Sequence, residues 1–508
     1  MAVIVLWSAV SIIAAYPPDF YPRFYDEAVY MMDVLAPGAL FTQHAAKLHY
    51  ATFKLGYGLP LYAAVSVFGD NGAMYLSTLF WALTILVLCV GVYRRHDWTT
   101  AAILAAILCY SPLFGKYIDE VAPTTLEAML FALLWLVYRK RQYLLTGLVV
   151  GLIAFVDFKW ALPTGLSVIL IELWIERERK GLERLLHAGG IGLAAFGVLA
   201  IATLLHSAYF QWLWGYITNH SGRVDFLQPT IIFAYDVYLF GAAPIALLAI
   251  AAFVMKAIVK PTASKANAKD HGLGHALVIG GFPILFYSLL GQLKGLRFFA
   301  VTFPVLTVVA AVGIRYIVMR VGDWAHSLKP PMRMAAGVIV GFVLAGFIMV
   351  GSDGPAKHLR EPAGYKLAVE KLAATVPHDG TVSSYMWPVV NYGWRAPLEV
   401  PPNAAWGILN TDRYLILDPV VDRMSVMLYE RADMDSLLML RSVLKRGSDS
   451  LFSVPSGFYA SKYFLAENAA YDAKGLMAWM REYDPKTNFT TVYRINMQKL
   501  RSVTPGAR

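Results

Sequence analysis

The sequence predicts a polytopic α-helical membrane protein followed by a C-terminal α/β domain on the external side. Three observations carry that prediction. Hydrophobic residues make up 58% of the chain and charged residues 15%, with a mean hydropathy of +0.52; soluble domains sit nearer 45–50% and about 25%. The apolar residues fall in long runs almost free of charge, as a bilayer demands. The basic residues gather in alternate loops between those runs. Disorder, a collagen-like fibre and a small disulfide scaffold are excluded by this composition. Cys89 and Cys109 both fall inside apolar runs, so there is no disulfide framework to read.

Eleven runs are candidate spans: roughly 2–16, 73–93, 99–114, 123–138, 143–158, 160–175, 188–206, 231–255, 275–290, 298–319 and 333–351. Several are short against the ~20 residues of a full span, so they extend into neighbouring turns or cross a thinner region. The first lacks a basic n-region and is followed by Pro17-Pro18, which reads as a retained helix rather than a cleaved signal peptide.

Orientation follows from the loops after the second, fourth, sixth, eighth and tenth runs. They carry 16 Lys/Arg, from Arg94 and Arg95 to Lys329 and Arg333, against six acids. Positive-inside places all five loops in the cytoplasm. Their excess equals the whole formal charge of +10, so the basic balance gives no support to a nucleic-acid partner. Loops 17–57 and 207–230, and everything after about 352, then lie outside.

The tail reads differently. Tyr365, Ala368, Val369, Leu372, Ala373 and Val376 follow helical spacing. Short apolar runs at Thr381–Trp387, Arg413–Leu417, Lys462–Ala466 and Thr490–Ile495 read as strands, with helices near 433–446 and 473–483.

Several polar residues stand out against this frame. The external loop 17–57 is long and acidic, with Asp19, Asp26, Glu27 and Asp33; loops of this length are often functional. The stretch AVYMMDVLAPG after Tyr25-Asp26-Glu27 has the make-up of a short interfacial helix. Its acids are either solvated loop residues or a carboxylate acting as general base on a hydroxyl acceptor, and composition leaves both open. Lys54 precedes Gly56-Tyr57-Gly58-Leu59-Pro60-Leu61-Tyr62; a lone lysine there is ordinarily a snorkelling one. Asp119-Glu120 stands just outside the third run, where acids near water cost little. Glu127 projects into an apolar run and needs a partner or a cavity.

Lys159, in the turn Asp157-Phe158-Lys159, and Lys294 with Arg297 lie at external turns, against the positive-inside trend. An Asp157–Lys159 ion pair explains the first by structure alone; with Lys54, these cations instead suit a phosphate. His206, His220 and Arg223 are too dispersed for a metal signature, and HExxH, CxxC, P-loop and GxGxxG contexts are missing.

At these residues the chain resembles the C-type (GT-C) membrane glycosyltransferases, nearest the group of protein O-mannosyltransferases and lipid A aminoarabinose transferases. The matching residues are Asp26, Glu27 and Tyr30 in the first external loop, then Lys54, Pro60 and Tyr62. Phe68-Gly69-Asp70, Arg94-Arg95, Ser111-Pro112 and Asp119 or Glu120 follow in order. Gly147, Gly151 and Lys159 resemble a Gly-rich helix ending at a lysine, and Leu296-Arg297-Phe298-Phe299 with Pro304 an arginine–aromatic helix start. The usual Arg-Tyr is Arg-Phe here. The WWDYG motif of oligosaccharyltransferases is missing, which argues against a pyrophosphate-linked oligosaccharide donor.

The resemblance implies a GT-C-like catalytic domain of about 11 transmembrane helices over 1–351 and an external domain over 352–508. It implies transfer of a sugar from a polyprenyl phosphate to a glycolipid, polysaccharide or protein hydroxyl at the outer face, by a single inverting displacement. Asp26 and Glu27 would be catalytic, with Asp119 or Glu120 orienting the acceptor or steadying the base. Lys54, Lys159, Lys294 and Arg297 would hold the donor phosphate, while Tyr30, Tyr57 and Tyr62 line the substrate. No cofactor is firmly implied, and a divalent metal stays open. The setting would be a bacterial inner membrane, with lipids as partners and no nucleic acid. The competing reading is a lipid-linked-sugar transporter or flippase, or a non-catalytic membrane scaffold.

Overall fold

The computed structural model describes residues 21–22, 25–35, 54–110, 120–139, 142–176, 180–205, 267–289, 296–326, 362–376, 381–384, 387–394, 412–422, 442–457 and 487–503. Positions 330–332, 335, 338, 439 and 459 are also described. The candidate spans 2–16 and 231–255, almost all of 333–351, and the tail segments 462–466 and 473–483 lie outside these residues. The chain forms two compact units, one of residues 1–18 and 53–356, the other of 19–52 and 357–508. The first external loop thus groups with the tail, where the sequence boundary at 351/352 had kept it with the spans.

In the first unit the helices are α2 (Leu55–Phe68), α3 (Gly72–Tyr93), α4 (Trp98–Tyr110), α5 (Thr124–Arg139), α6 (Tyr143–Val156), α7 (Ala161–Leu170), α8 (Gly181–Leu205), α9 (Asn267–Leu289) and α10 (Leu296–His326). Among the described residues, four stretches are long and apolar enough to cross a membrane: Gly72–Tyr93, Phe158–Ile175, Gly181–Leu204 and Phe299–Met319. Shorter apolar helices cover Gly56–Phe68, Trp98–Cys109, Thr124–Tyr138, Tyr143–Val156 and Gly272–Tyr287. α2 was not among the expected runs because its 14 residues fall well below a span's length.

Small residues set the closest approaches. Gly147 and Gly151 on α6 admit α8: a Cβ at Gly147 would fall 2.6 Å from that of Ala194, and one at Gly151 2.7 Å from Val198 Cβ. This small-xxx-small seam lets two backbones meet where lipid offers no hydrophobic drive. Gly69, with φ +65°, turns the chain between α2 and α3, and Gly72 then lies directly against the Ala64 carbonyl. Asp97 caps α4 by accepting from the Thr100 N–H (2.7 Å) and hydroxyl (2.9 Å). It also meets Arg315 of α10 at 3.2 Å. Burial works to raise its pKa, but the Thr100 bonds and the Arg315 charge win and hold it below the ordinary carboxylate value.

The second unit contains α1 (Tyr25–Leu35), α11 (Gly364–Thr375), α12 (Trp387–Trp394), α13 (Met497–Val503) and the strands β1 (Thr381–Ser383), β2 (Asp412–Leu417), β3 (Ser448–Pro455) and β4 (Phe489–Ile495). The sheet order is β1-β2-β4-β3, with β1 parallel to β2 and the other pairs antiparallel. Tyr414, Leu415 and Ile416 on β2 are all buried, as suits a strand paired on both sides. Three residues of the expected strand Thr381–Trp387 form β1. α12 begins at Trp387 because Pro388, pre-set for a helix's first turn, follows. α1 and α11 both pack against α12, and α11 against β3 and β4. The core holds Tyr365 on Tyr459 (5.2 Å between rings) and Trp394 on Tyr414 (6.1 Å).

Candidate functional site

The first unit holds a buried charge cluster where α2 begins and α6 ends. Gly56 makes it possible. A Cβ there would fall 2.9 Å from Phe155 Cδ1 and 3.0 Å from Val156 Cα, so only glycine lets α2 come this close to the end of α6. Lys54, the residue before α2, then reaches Asp157, the residue after α6. Asp157 leaves the helix in an extended conformation (φ −152°, ψ 107°) and accepts from the Lys159 N–H at 3.3 Å, capping a 3₁₀ turn over Phe158–Trp160. One carboxylate oxygen, Oδ2, lies 2.7 Å from Lys54 Nζ and 2.7 Å from Lys159 Nζ. The lysine side chains remain 15% exposed, while Asp157 is 5% exposed.

Neighbouring helices fix this arrangement. The Tyr287 hydroxyl of α9 donates to the Lys159 carbonyl. Trp160 is fully buried and meets Phe131 of α5 and Tyr287 edge-on, at 5.4 and 5.3 Å. Lys159 Nζ stands 5.7 Å from the centre of the Trp160 ring. Glu127, in the first turn of α5, is 1% exposed. It is within electrostatic range of Lys159, Asp157 and Lys54, and lies beside the Trp160 indole N–H. Two ammonium groups and two carboxylates therefore meet here.

Beside the cluster is a cavity of about 620 Å³ whose lining is wholly apolar, including Gly56, Pro60, Phe68, Leu126, Phe155 and Val156. Three of its lining residues adjoin the cluster in sequence: Gly56 near Lys54, Leu126 before Glu127, and Val156 before Asp157. Tyr57 on α2 is fully buried, and Tyr62 is 50% exposed. Glu120 is buried in the turn leading to α5, its carbonyl accepting from the Ser77 hydroxyl at 3.4 Å.

The remaining predicted residues are distributed otherwise. Asp26, Glu27 and Tyr30 lie on α1 of the second unit; Glu27 and Tyr30 are buried, and the Asp26 side chain lies outside the described residues. Arg297 is in the first turn of α10 with its side chain outside them, as are Asp119 and Lys294 altogether. The structure thus joins Lys54 to Lys159. It adds two acids that were not among the predicted site residues: Asp157 as bridge and Glu127 as neighbour. The sequence signal for Glu127 was an acid inside an apolar run.

A second buried cluster sits at the other end of α5. Glu172 Oε1 is 2.8 Å from His187 Nδ1 and accepts from the Tyr138 hydroxyl; Glu176 Oε1 is 3.1 Å from His275 Nε2. The Tyr138 ring meets both imidazoles edge-on, at 5.9 and 5.0 Å. Glu172 lies within a π-helical turn, Ile171–Ile175, that continues α7, and Glu176 caps its end. Among the described residues no group of three or more His, Cys, Asp or Glu side chains converges as a metal site.

No protein-family profile matches the chain, and no curated protein matches it. Solved structures do. ArnT from Cupriavidus metallidurans bound to undecaprenyl phosphate matches 99% of this chain and 98% of its own, with a TM-score of 0.56 and 11% identity. The apo form of ArnT gives 0.55 and 14% identity over 89% of this chain and 95% of its own. The Archaeoglobus fulgidus oligosaccharyltransferase AglB, in complex with an inhibitory peptide and a dolichol-phosphate, gives 0.53 and 11% identity over 90% of this chain and 73% of its own. ArnT and AglB are GT-C fold enzymes. At such identities the likeness concerns the fold, and the chain has the GT-C fold.

Proposed function

We propose that this chain is a membrane glycosyltransferase that moves a sugar from a polyprenyl-phosphate donor to an acceptor hydroxyl at the outer face. The observation that carries the reading is the pair Lys54 and Lys159, held together by Asp157 beside an apolar cavity. A polyprenyl phosphate has that duality: an anionic head on a hydrocarbon tail. The undecaprenyl phosphate and dolichol-phosphate bound in the ArnT and AglB structures support the same ligand class.

The acceptor oxygen attacks the anomeric carbon as the bond from that carbon to the phosphate oxygen breaks. The acceptor proton passes to Asp26, and the polyprenyl phosphate leaves with the electron pair, inverting the anomeric centre. The donor is a phosphodiester with one charge, and the departing monoester gains another. Cations beside that phosphate therefore stabilise the transition state more than the bound donor. Lys54 and Lys159 take this role, with Lys294 and Arg297 as further phosphate ligands. Asp157 pre-sets the two ammonium groups, which would otherwise repel, before the phosphate arrives. Asp119 or Glu120 orients the acceptor, and the tail lies on the external side.

The test is transfer by the purified protein from a panel of labelled polyprenyl-phosphate sugars. Wild type is expected to transfer from at least one donor, and Asp26→Asn to transfer from none. Turnover by Asp26→Asn near the wild-type rate refutes Asp26 as the base.

A further inference from the structure

The helix carrying Asp26 and Glu27 is part of the same compact unit as the tail, and specific contacts tie the two together. α1 packs on α12. The Tyr21 hydroxyl, just ahead of α1, donates to the Val389 carbonyl inside α12 at 2.9 Å. The Tyr21 ring meets Tyr392 edge-on at 5.9 Å. Gly393 provides the space: a Cβ there would fall 2.5 Å from Tyr21 Oη and 2.7 Å from Cε2. Along α1, Ala28, Val29, Tyr30, Met31 and Met32 are buried. Glu27 is within electrostatic range of Tyr459, as are Asp418, Tyr365 and Tyr21. Glu27 thus belongs to the unit's buried polar core, one residue along from the proposed base.

We propose that α12 positions the base: Tyr21 seated in the notch at Gly393 fixes the register and tilt of α1, so that these tail contacts govern the chemical step and not donor binding. This rests on the reading of Asp26 as the base. Donor binding is assigned to Lys54 and Lys159, which belong to the other unit, so disturbing the notch separates the two. A displacement of the base by about 1 Å is enough to cost on the order of a hundredfold in rate.

The experiment uses the full chain in nanodiscs. Gly393→Ala is expected to lower kcat about tenfold to a hundredfold while the Kd for undecaprenyl phosphate stays within about twofold. Leu444→Ala, a core truncation in the same unit, serves as the control for lost stability and is expected to leave kcat of the folded protein near wild type. Should Gly393→Ala fail to fold, Tyr21→Phe removes only the hydroxyl. It is expected to speed hydrogen exchange across residues 25–35 and lower kcat severalfold. Wild-type kcat in the folded notch variant, or an equal kcat loss in Leu444→Ala at the same loss of Tm, overturns the proposal. Asp26→Asn in the same assay keeps the two ideas apart. Turnover by that variant refutes the base, whereas an inactive Asp26→Asn beside a fully active notch variant refutes the positioning role alone.

Discussion

The two ends of α5 carry two buried charge clusters built to opposite designs. Glu127 and Tyr138 are about three turns apart on that helix, roughly 16 Å. At the Glu127 end, two ammonium groups share a single oxygen of Asp157, Glu127 lies within their electrostatic range, and an apolar cavity adjoins. At the Tyr138 end, each glutamate has its own imidazole, a phenol completes one pair, and aromatic edges enclose both histidines. The first cluster is the one proposed to take the donor phosphate; the second ties α5, the end of α7, α8 and α9 together.

The largest expected effect is on the first cluster. Lys159→Met is expected to cut transfer at least a hundredfold and to weaken undecaprenyl-phosphate binding, measured by direct titration. An active Lys159→Met with wild-type affinity would break the contrast at once. Glu172→Ala should act only on stability. It takes the hydrogen-bond acceptor from the buried Tyr138 hydroxyl and the partner from His187, a loss of about 1–3 kcal/mol visible as a lower Tm, while turnover per folded molecule stays within about twofold. If turnover falls in step with the lysine variant, the two ends are not functionally distinct.

A buried carboxylate of the second unit, Asp418, sharpens the comparison because donors replace cations around it. It accepts from the Thr490 hydroxyl at 2.6 Å and from the Val420 and Val421 N–H groups at 3.0 and 3.2 Å. Burial nevertheless pushes its pKa above the ordinary carboxylate value. The folded state then holds the proton more tightly than the unfolded chain. The associated stability is fully present below the ordinary value and is lost as pH rises through the raised one. Melting of the second unit should fall as pH rises from acidic towards neutral, and Asp418→Asn should flatten that slope. An equal slope in the variant assigns it to another group. The smallest effect is expected at Asp97, whose side chain is 42% exposed. Asp97→Ala loses a helix cap, about 1 kcal/mol by chemical denaturation, and its exposed pairing with Arg315 adds little.

Much of the helical unit was legible because apolar runs report their own length. The run 73–93 became Gly72–Tyr93, and 123–138 became Thr124–Arg139. β3 was missed because half of Ser448–Pro455 is polar, starting with Ser448-Asp449-Ser450, and it lies at the sheet edge, where its order comes from pairing with β4. Lys54 and Lys159 stood out as cations against the positive-inside trend. Asp157 as a bridge to Lys54 did not, because that contact depends on how closely Gly56 lets α2 approach α6, which hydropathy does not record. The grouping of α1 with the tail was equally silent, since it comes from shape, with an aromatic ring seated at a glycine on a distant helix.

That seating has a consequence in time. Tyr21 and Val389 are 368 residues apart in the chain. At a synthesis rate of roughly 5–20 residues per second, their encounter waits roughly 20–70 s after Tyr21 is made. Throughout that interval α1 has no α12 to pack against, so the helix bearing the proposed base takes up its place only late in synthesis. Assembly order alone would keep a half-made chain silent.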